Sequence, residues 1–229
     1  MAHASINAVI FDCDGVLVDS EVVGMRGELE ALRNFGLDYE NEVFVRRFVG
    51  MHDQTFFNAL RADFEAKHGA AAPEDFETHI LEGRRRFSHL MEAVPGAQLA
   101  LETVRQRFGQ CAIASSSRTE FLIKKLKRTD LYDYAAPHIY SADRVATGKP
   151  APDIFLYAAE QIAQNPTHCL ALEDSENGVR AACAAGMTVW GFTGGGHCPP
   201  DHGACLIAAG ASAIAADFNA FKFMLKDLS

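Results

Sequence analysis

From residue 93 onward, the sequence alternates amphipathic segments with short apolar runs, and a glycine often separates the two. The segment 101–108 is followed by Gly109 and the run CAIAS, and the segment 179–185 is followed by Gly186 and the run MTVWGF. A glycine just past a helix is a common stop signal, and a short run that is apolar on both faces is typical of a buried parallel strand. The alternation therefore predicts an α/β fold with a doubly wound parallel sheet.

Three further apolar runs fit this sheet as strands. They are AVIF at 8–11, HIY at 138–140 and CLALE at 169–173. Each is short, apolar and bounded by polar or turn-forming residues, as expected for strands whose two faces are both covered by helices. HIY is the shortest of the three and carries the weakest strand signal.

The segment 19–92 follows a different pattern. Its apolar residues recur at helical spacing and show no strand-like alternation, and the segment ends at Val94-Pro95-Gly96, where the α/β pattern begins. We therefore expect a core domain formed by 1–18 and 93–229, with an all-helical cap domain, 19–92, inserted into it.

Composition limits the classes of partner. A chain of 229 residues with 48% apolar residues can bury a substantial core, and its net charge of -9 repels nucleic acid and anionic lipid. No apolar run approaches the roughly 18 residues that a membrane helix needs. We expect a soluble, cytoplasmic protein that binds neither nucleic acid nor membrane and is a monomer or a weak homo-oligomer.

Polar residues follow four of the predicted strands, at the point where each strand ends or in the loop just after it. In an open α/β sheet, ligands bind outside the carboxyl ends of the strands, so these residues are expected to lie close together. They include four acids, one hydroxyl and one lysine: Asp12, Asp14, Ser115, Lys149, Glu173 and Asp174.

Acids gathered at one edge of a sheet repel each other unless a cation balances them. Mg²⁺ prefers one or two carboxylates together with water and substrate phosphate. We therefore predict a Mg²⁺ site formed by Asp12, the backbone carbonyl of Asp14, and Asp174. Glu173 is expected either to bind the ion or to support the residues that do.

A carboxylate beside Mg²⁺ can attack phosphorus and form an aspartyl phosphate, which makes Asp12 the candidate nucleophile. Asp14 can act as general acid and base if Gly15 lets the chain turn sharply behind it. Ser115 and Lys149 are expected to stabilise charge on the phosphoryl oxygens. Taken one at a time, these residues also fit ordinary turns and caps, and only their predicted convergence favours a catalytic site.

Other polar positions receive structural interpretations. Asp19 fits a helix N-cap, and the lysine-rich run 124–128 fits a solvent-exposed helix face. The six cysteines show no zinc-binding spacing and are expected to be reduced thiols, most of them buried. The loop GGGHCPPDH at 194–202 contains two histidines and a cysteine, but no fourth ligand is evident, so the sequence by itself does not predict a metal there.

Four stretches, DCDGVLVDS, IASSS, GKPAPDIF and LEDSENGVRAACAAG, occur in that order along the chain. Together they resemble the motifs of haloacid dehalogenase superfamily phosphatases that carry a small helical cap, near the β-phosphoglucomutase and sugar-phosphate phosphatase branch. This resemblance implies Mg²⁺-dependent hydrolysis of small phosphomonoesters through an aspartyl phosphate, by the residues already singled out. It also implies a cap that selects the substrate, with Arg47, Gly50 and His52 as candidate contacts.

Two positions in the cap segment differ from the mutases of this branch, and the difference bears on which reaction is expected. The mutases of this branch carry a cap histidine and a cap arginine, where Gly24 and Asp53 stand here. Simple hydrolysis is therefore favoured, with 6-phosphogluconate among the candidate substrates and a phosphosugar mutase as the alternative. A phosphoacceptor signalling module is a further alternative, which the helical insert and a water-activating Asp14 argue against.

Overall fold

The computed structural model of the protein describes residues 5–48 and 53–228. The chain divides into two compact units. The first, called the core unit below, contains the segments up to Asp19 and from Glu92 onward. The second, called the helical unit, is Ser20–Met91.

The core unit contains a sheet of six parallel strands in the order β3-β2-β1-β4-β5-β6. The strands are β1 (Ala8–Phe11), β2 (Cys111–Ser115), β3 (Ile139–Ser141), β4 (Cys169–Glu173), β5 (Thr188–Phe192) and β6 (Ala213–Ala215). The chain builds outward from β1 to β3 on one side and from β4 to β6 on the other. The predicted fold class, a doubly wound α/β protein, is confirmed.

The sheet differs from the prediction at its two edges. β3 begins one residue later than the apolar run HIY suggested, and β6 was not predicted at all. Both are three-residue edge strands in which only the last residue is buried. A strand this short and this exposed lacks the continuous apolar run by which a buried strand is recognised.

The helical unit consists of α1 (Ser20–Asn34), α2 (Asn41–Phe48), α3 (Asp53–His68) and α4 (Phe76–Arg86). Aromatic and leucine side chains from all four helices form its core, among them Leu32, Phe44, Leu60 and Phe76. The backbones of α1 and α4 meet at two glycines. A Cβ added to Gly27 would lie 1.8 Å from the carbonyl oxygen of Gly83, so neither position has room for a larger residue.

In the part of the core unit that the structure describes, the strands are flanked by α5 (Ala97–Phe108), α6 (Thr119–Arg128), α7 (Tyr132–Ala135), α8 (Asp153–Gln161), α9 (Glu176–Ala184), α10 (His202–Ala209) and α11 (Phe218–Lys226). Side-chain caps fix where two of them, α9 and α11, begin. The hydroxyl oxygen of Ser175 accepts a hydrogen bond from the backbone N–H of Gly178 and thereby starts α9 directly after β4. No helix in the described residues is long and apolar enough to cross a lipid bilayer.

The centre of the sheet determines where the polar residues meet. β1 pairs on one side with β2 and on the other with β4, so the direction of winding changes between β1 and β4. Such a switch point leaves a crevice at the carboxyl ends of the two strands. Asp12 follows β1 there, and Glu173 and Asp174 stand at the end of β4.

Candidate active site

Three acids form a buried cluster at this crevice. Asp12 is 6% exposed, Glu173 is fully buried and Asp174 is 4% exposed. One carboxylate oxygen from each lies within 4.8 Å of the others. Carboxylates this close and this buried need a cation, because each ionised group raises the energy of its neighbours.

Lys149 supplies one positive charge to the cluster. Its Nζ lies 2.5 Å from Oδ1 of Asp12, 2.5 Å from Oε1 of Glu173 and 3.0 Å from the carbonyl oxygen of Ala114. Burial raises the pKa of the Asp12 and Glu173 carboxyls, although Lys149 opposes that shift. Burial would lower the pKa of Lys149, but the two carboxylates outweigh it and raise the pKa.

Asp14 lies apart from this cluster in its hydrogen bonding. Its Oδ2 accepts hydrogen bonds from the Ser117 hydroxyl at 2.8 Å and from the Ser115 hydroxyl at 3.3 Å, and its Oδ1 pairs with Lys125. Lys125 also donates to the Ser117 hydroxyl at 2.8 Å. Two residues at the end of β2 and one from α6 therefore hold the Asp14 side chain.

The interpretation of the run 124–128 as a solvent-exposed face is wrong for Lys125, whose side chain is only 11% exposed. The buried face of α6 carries Leu122 and Leu126. Lys125 stands three positions after Leu122 and shares that face, so helical spacing could have identified it. Ser117 was likewise not identified, because the sequence offers three consecutive serines and no means of choosing between them.

Gly15 permits the close packing of the first acidic loop against Asp174. Its φ of +77° lies in the left-handed region, and an added Cβ would lie 1.9 Å from Oδ2 of Asp174. Gly178 likewise permits the start of α9 to pack closely against Glu173, since a Cβ at Gly178 would lie 1.9 Å from Oε1 of Glu173. Both acids are thus held at distances that only a glycine allows.

The model of the haloacid dehalogenase-like hydrolase family matches residues 6–186. The chain belongs to this family. A phosphorylated carbohydrates phosphatase of Thermotoga maritima is 32% identical over 91% of this chain and 94% of its own length. A 6-phosphogluconate phosphatase of Escherichia coli is 26% identical over 85% of this chain and 86% of its own length.

Solved structures agree with this family assignment. A haloacid dehalogenase family hydrolase from Deinococcus radiodurans, solved with bound phosphate and sodium, is 31% identical and has a TM-score of 0.87. The alignment covers 98% of this chain and 97% of that one. The phosphatase names of its relatives confirm the prediction that this haloacid dehalogenase-like protein is an enzyme of the phosphatase type.

Haloacid dehalogenase-like hydrolases generally use a divalent metal, and the residues present fit one. The donors are all carboxylate oxygens, which suit hard cations, and Lys149 contacts two of the three acids, Asp12 and Glu173. The Gly15 backbone leaves the Asp174 carboxylate room to lie against the acidic loop. This hydrolase therefore has a buried, acid-rich cluster whose oxygens fit a divalent cation.

The structure describes Asp19 and one of the three predicted cap contacts, Arg47. α1 begins at Ser20, directly after Asp19, and the Asp19 carboxylate accepts a hydrogen bond from the Gly196 N–H at 3.3 Å. In the helical unit, Nη2 of Arg47 lies 2.6 Å from Oδ1 of Asp63, so this guanidinium has an acidic partner within its own unit. Gly50 and His52 lie outside the described residues.

The loop that follows β5 also reaches the acidic cluster. Nε2 of His197 lies 3.0 Å from Oδ2 of Asp174, and the histidine is 5% exposed. Burial would lower the pKa of His197, but the hydrogen bond to Asp174 outweighs it and raises the pKa to about 11. No sequence pattern connected this loop with the acids, because the contact depends on the path of the chain after β5.

Proposed function

We propose that this haloacid dehalogenase-like hydrolase is a Mg²⁺-dependent phosphomonoesterase that acts on a small phosphorylated metabolite through an aspartyl phosphate. The observation that carries the proposal is the position of Asp12, buried between the Lys149 ammonium and the carboxylates of Glu173 and Asp174. That environment combines a nucleophilic oxygen with groups that can hold a phosphoryl group and a metal ion.

Asp12 has the role of nucleophile. An oxygen of its carboxylate attacks phosphorus, the bond to the leaving oxygen breaks, and Asp14 gives that oxygen a proton. In the second step, Asp14 takes a proton from water, the resulting hydroxide attacks phosphorus, and the bond to Asp12 breaks to release inorganic phosphate. The hydrogen bonds that Ser117 and Lys125 donate to Asp14 support its role as acid and base, because they fix the direction of the Asp14 side chain.

The phosphoryl oxygens carry negative charge throughout both steps, and donors must be directed at them. Lys149 and the Ser115 hydroxyl have this role. Mg²⁺ would be held by Asp12, the Asp14 carbonyl and Asp174, with Glu173 as a further ligand or as the partner that fixes Lys149. When bound, the ion would neutralise phosphoryl charge and orient the transferred group.

The substrate is proposed to be a sugar phosphate or a sugar-acid phosphate. The support comes from relatives named for phosphorylated carbohydrates and for 6-phosphogluconate, which this chain matches over most of its length. Selection of the substrate by a cap formed by 19–92, with Arg47, Gly50 and His52 as contacts, stays a prediction.

The test compares Asp12→Asn with Asp130→Asn, which removes an exposed carboxylate at a turn of the same core unit. Phosphate release from p-nitrophenyl phosphate and from a panel of phosphorylated sugars and sugar acids is measured with and without Mg²⁺. We expect Asp12→Asn to lose at least about 1,000-fold in kcat and Asp130→Asn to match the unsubstituted enzyme. Retention of more than a tenth of the activity by Asp12→Asn would exclude it as the nucleophile.

The same assays separate the alternatives. A phosphosugar mutase would move phosphate between hydroxyls of one sugar without releasing it, and a signalling module would keep the acylphosphate for minutes or longer. The proposed hydrolase does neither, because Asp14 activates water in the second step. Quantitative release of inorganic phosphate over many turnovers is therefore the expected result.

A further inference from the structure

The loop between β5 and α10 gathers three side chains that sequence spacing alone did not predict as a metal site. One ligand atom each from His197, Cys198 and His202 lies within 4.8 Å of the others. Two histidine nitrogens and a thiol sulfur form a soft to borderline donor set, unlike the all-oxygen set of the acidic cluster. The two sets therefore suit different metal ions.

One distance within this set matches a tetrahedral site. Nε2 of His197 and Sγ of Cys198 are 3.5 Å apart. A tetrahedral zinc with ordinary zinc–sulfur and zinc–nitrogen bond lengths holds such a pair about 3.6 Å apart. These two adjacent residues thus already have the separation of two zinc ligands.

The Asp174 carboxylate contacts this set through His197. Its Oδ2 lies 3.0 Å from Nε2 of His197, close to the separation of about 3.3 Å expected for a nitrogen and an oxygen on one tetrahedral zinc. Nε2 of His202 lies 2.5 Å from the backbone carbonyl oxygen of Asp174. Because a carbonyl oxygen only accepts, Nε2 donates there and Nδ1 is the ring nitrogen left to bind a metal. Such a bond to a carbonyl is the usual support of a metal-binding histidine.

His197 adds an independent observation. Among the described residues, its Nδ1 is the buried side-chain nitrogen or oxygen that has no hydrogen-bond partner. An unpartnered buried polar atom costs stability, so the ring is held in this position for the contacts of its other nitrogen. Those contacts are with Asp174 and Cys198.

We propose that His197, Cys198, His202 and a carboxylate oxygen of Asp174 form a second metal site, which binds a borderline-soft divalent cation of the Zn²⁺ type. The ion replaces the proton of the Cys198 thiol and any proton on the His197 ring, and those protons pass to solvent. Because Asp174 is shared, occupancy of this site withdraws a ligand from the Mg²⁺ site and inhibits turnover. The inhibition rests on the proposed function, but the binding does not.

Titration of the metal-free protein with Co²⁺ alone tests the binding, since cobalt in a tetrahedral thiolate site absorbs strongly and cobalt in an all-oxygen site does not. We expect thiolate-to-cobalt absorption in the near ultraviolet, lost on addition of Zn²⁺. The band should persist in Cys205→Ser, which removes an exposed thiol from the same region, and disappear in Cys198→Ser. His202→Gln should weaken Co²⁺ binding by at least about tenfold.

Absence of the band from the unsubstituted protein, or an unchanged band in Cys198→Ser, would overturn the proposal. Far-ultraviolet circular dichroism checks the fold of each variant, and His202→Gln provides an independent answer if Cys198→Ser does not fold. The titration is repeated on Asp12→Asn, which does not need to turn over substrate. If Asp12→Asn shows the cobalt band, the metal site is supported even if the proposed phosphatase mechanism is wrong. If the band is absent from Asp12→Asn, Asp12 takes part in the site and the proposed ligand set is contradicted.

Discussion

Lys149 donates a hydrogen bond from Nζ to Oδ1 of Asp12 over 2.5 Å, although 137 positions separate the two residues in the chain. The same ammonium group lies 2.5 Å from Glu173. One lysine thus serves two buried carboxylates, while Asp174 has His197 as its own partner at 3.0 Å. The site is held together by these pairings, and each can be tested by substitution.

Lys149→Met should lower both the phosphatase activity and the free energy of unfolding. The substitution leaves Asp12 and Glu173 buried with no cation from the protein, which costs about 3–5 kcal/mol in unfolding free energy. It also removes a donor to the phosphoryl oxygens, so kcat/KM should fall about 100-fold or more. Urea denaturation and phosphate release measure the two effects. Lys226→Met, at an exposed position of α11, should change neither, and a fully active Lys149→Met would contradict the proposed role.

Gly15→Ala should displace the Asp174 carboxylate, because the new Cβ would lie 1.9 Å from its Oδ2. Gly109→Ala is the matched control, since its φ of +81° is similarly strained but nothing lies within 4 Å of an added Cβ. Both variants should lose about 1–2 kcal/mol to the left-handed backbone. Only Gly15→Ala should need more Mg²⁺ for half-maximal activity. Equal metal dependence in the two would show that Asp174 is not a ligand.

Lys125→Met should impair the first chemical step by releasing the Asp14 side chain. We expect kcat/KM to fall about tenfold or more for alkyl phosphates, whose leaving oxygen needs a proton, and much less for p-nitrophenyl phosphate, whose leaving group does not. A purely structural defect would lower both equally. Lys124→Met, on the exposed side of α6, serves as the control.

Glu28 in α1 makes the stability of the helical unit depend on pH. Burial raises the pKa of Glu28 above its ordinary 4.5, although Arg84 opposes the shift. The folded state therefore holds this proton more tightly than the unfolded state, and the stabilisation is lost as pH rises from 4.5 through the folded pKa. Between about pH 4 and about pH 7, Glu28→Gln should lose less unfolding free energy than the unsubstituted protein.

Urea denaturation at the two pH values measures this difference. Glu30→Gln provides the control, because Glu30 lies on the same helix, is far more exposed and pairs with Arg86. Its pH dependence should match that of the unsubstituted protein. A Glu28→Gln variant with an unchanged pH dependence would contradict the direction of the pKa shift.

Much of the site could be predicted because its residues stand at strand ends. Apolar runs mark β1, β2 and β4, and parallel strands direct their carboxyl ends to one edge, so Asp12 and Asp174 were expected to meet. The short edge strands β3 and β6 escaped accurate prediction, because partial burial leaves them no distinctive pattern. The charge of the run 124–128 favours exposure, but Lys125 stands three residues after the buried Leu122 and lies on the same face of α6.

The sequence by itself determined the order of the motifs, the α/β class and the acids that follow the central strands. Each of these depends on a local apolar pattern and on the residues that directly follow it. Only the tertiary structure decided which lysine pairs with which acid, and that His197 lies against Asp174. Those pairings depend on loop paths and side-chain directions across more than a hundred positions for Lys149 and Lys125. Local spacing carries no information about contacts at that range.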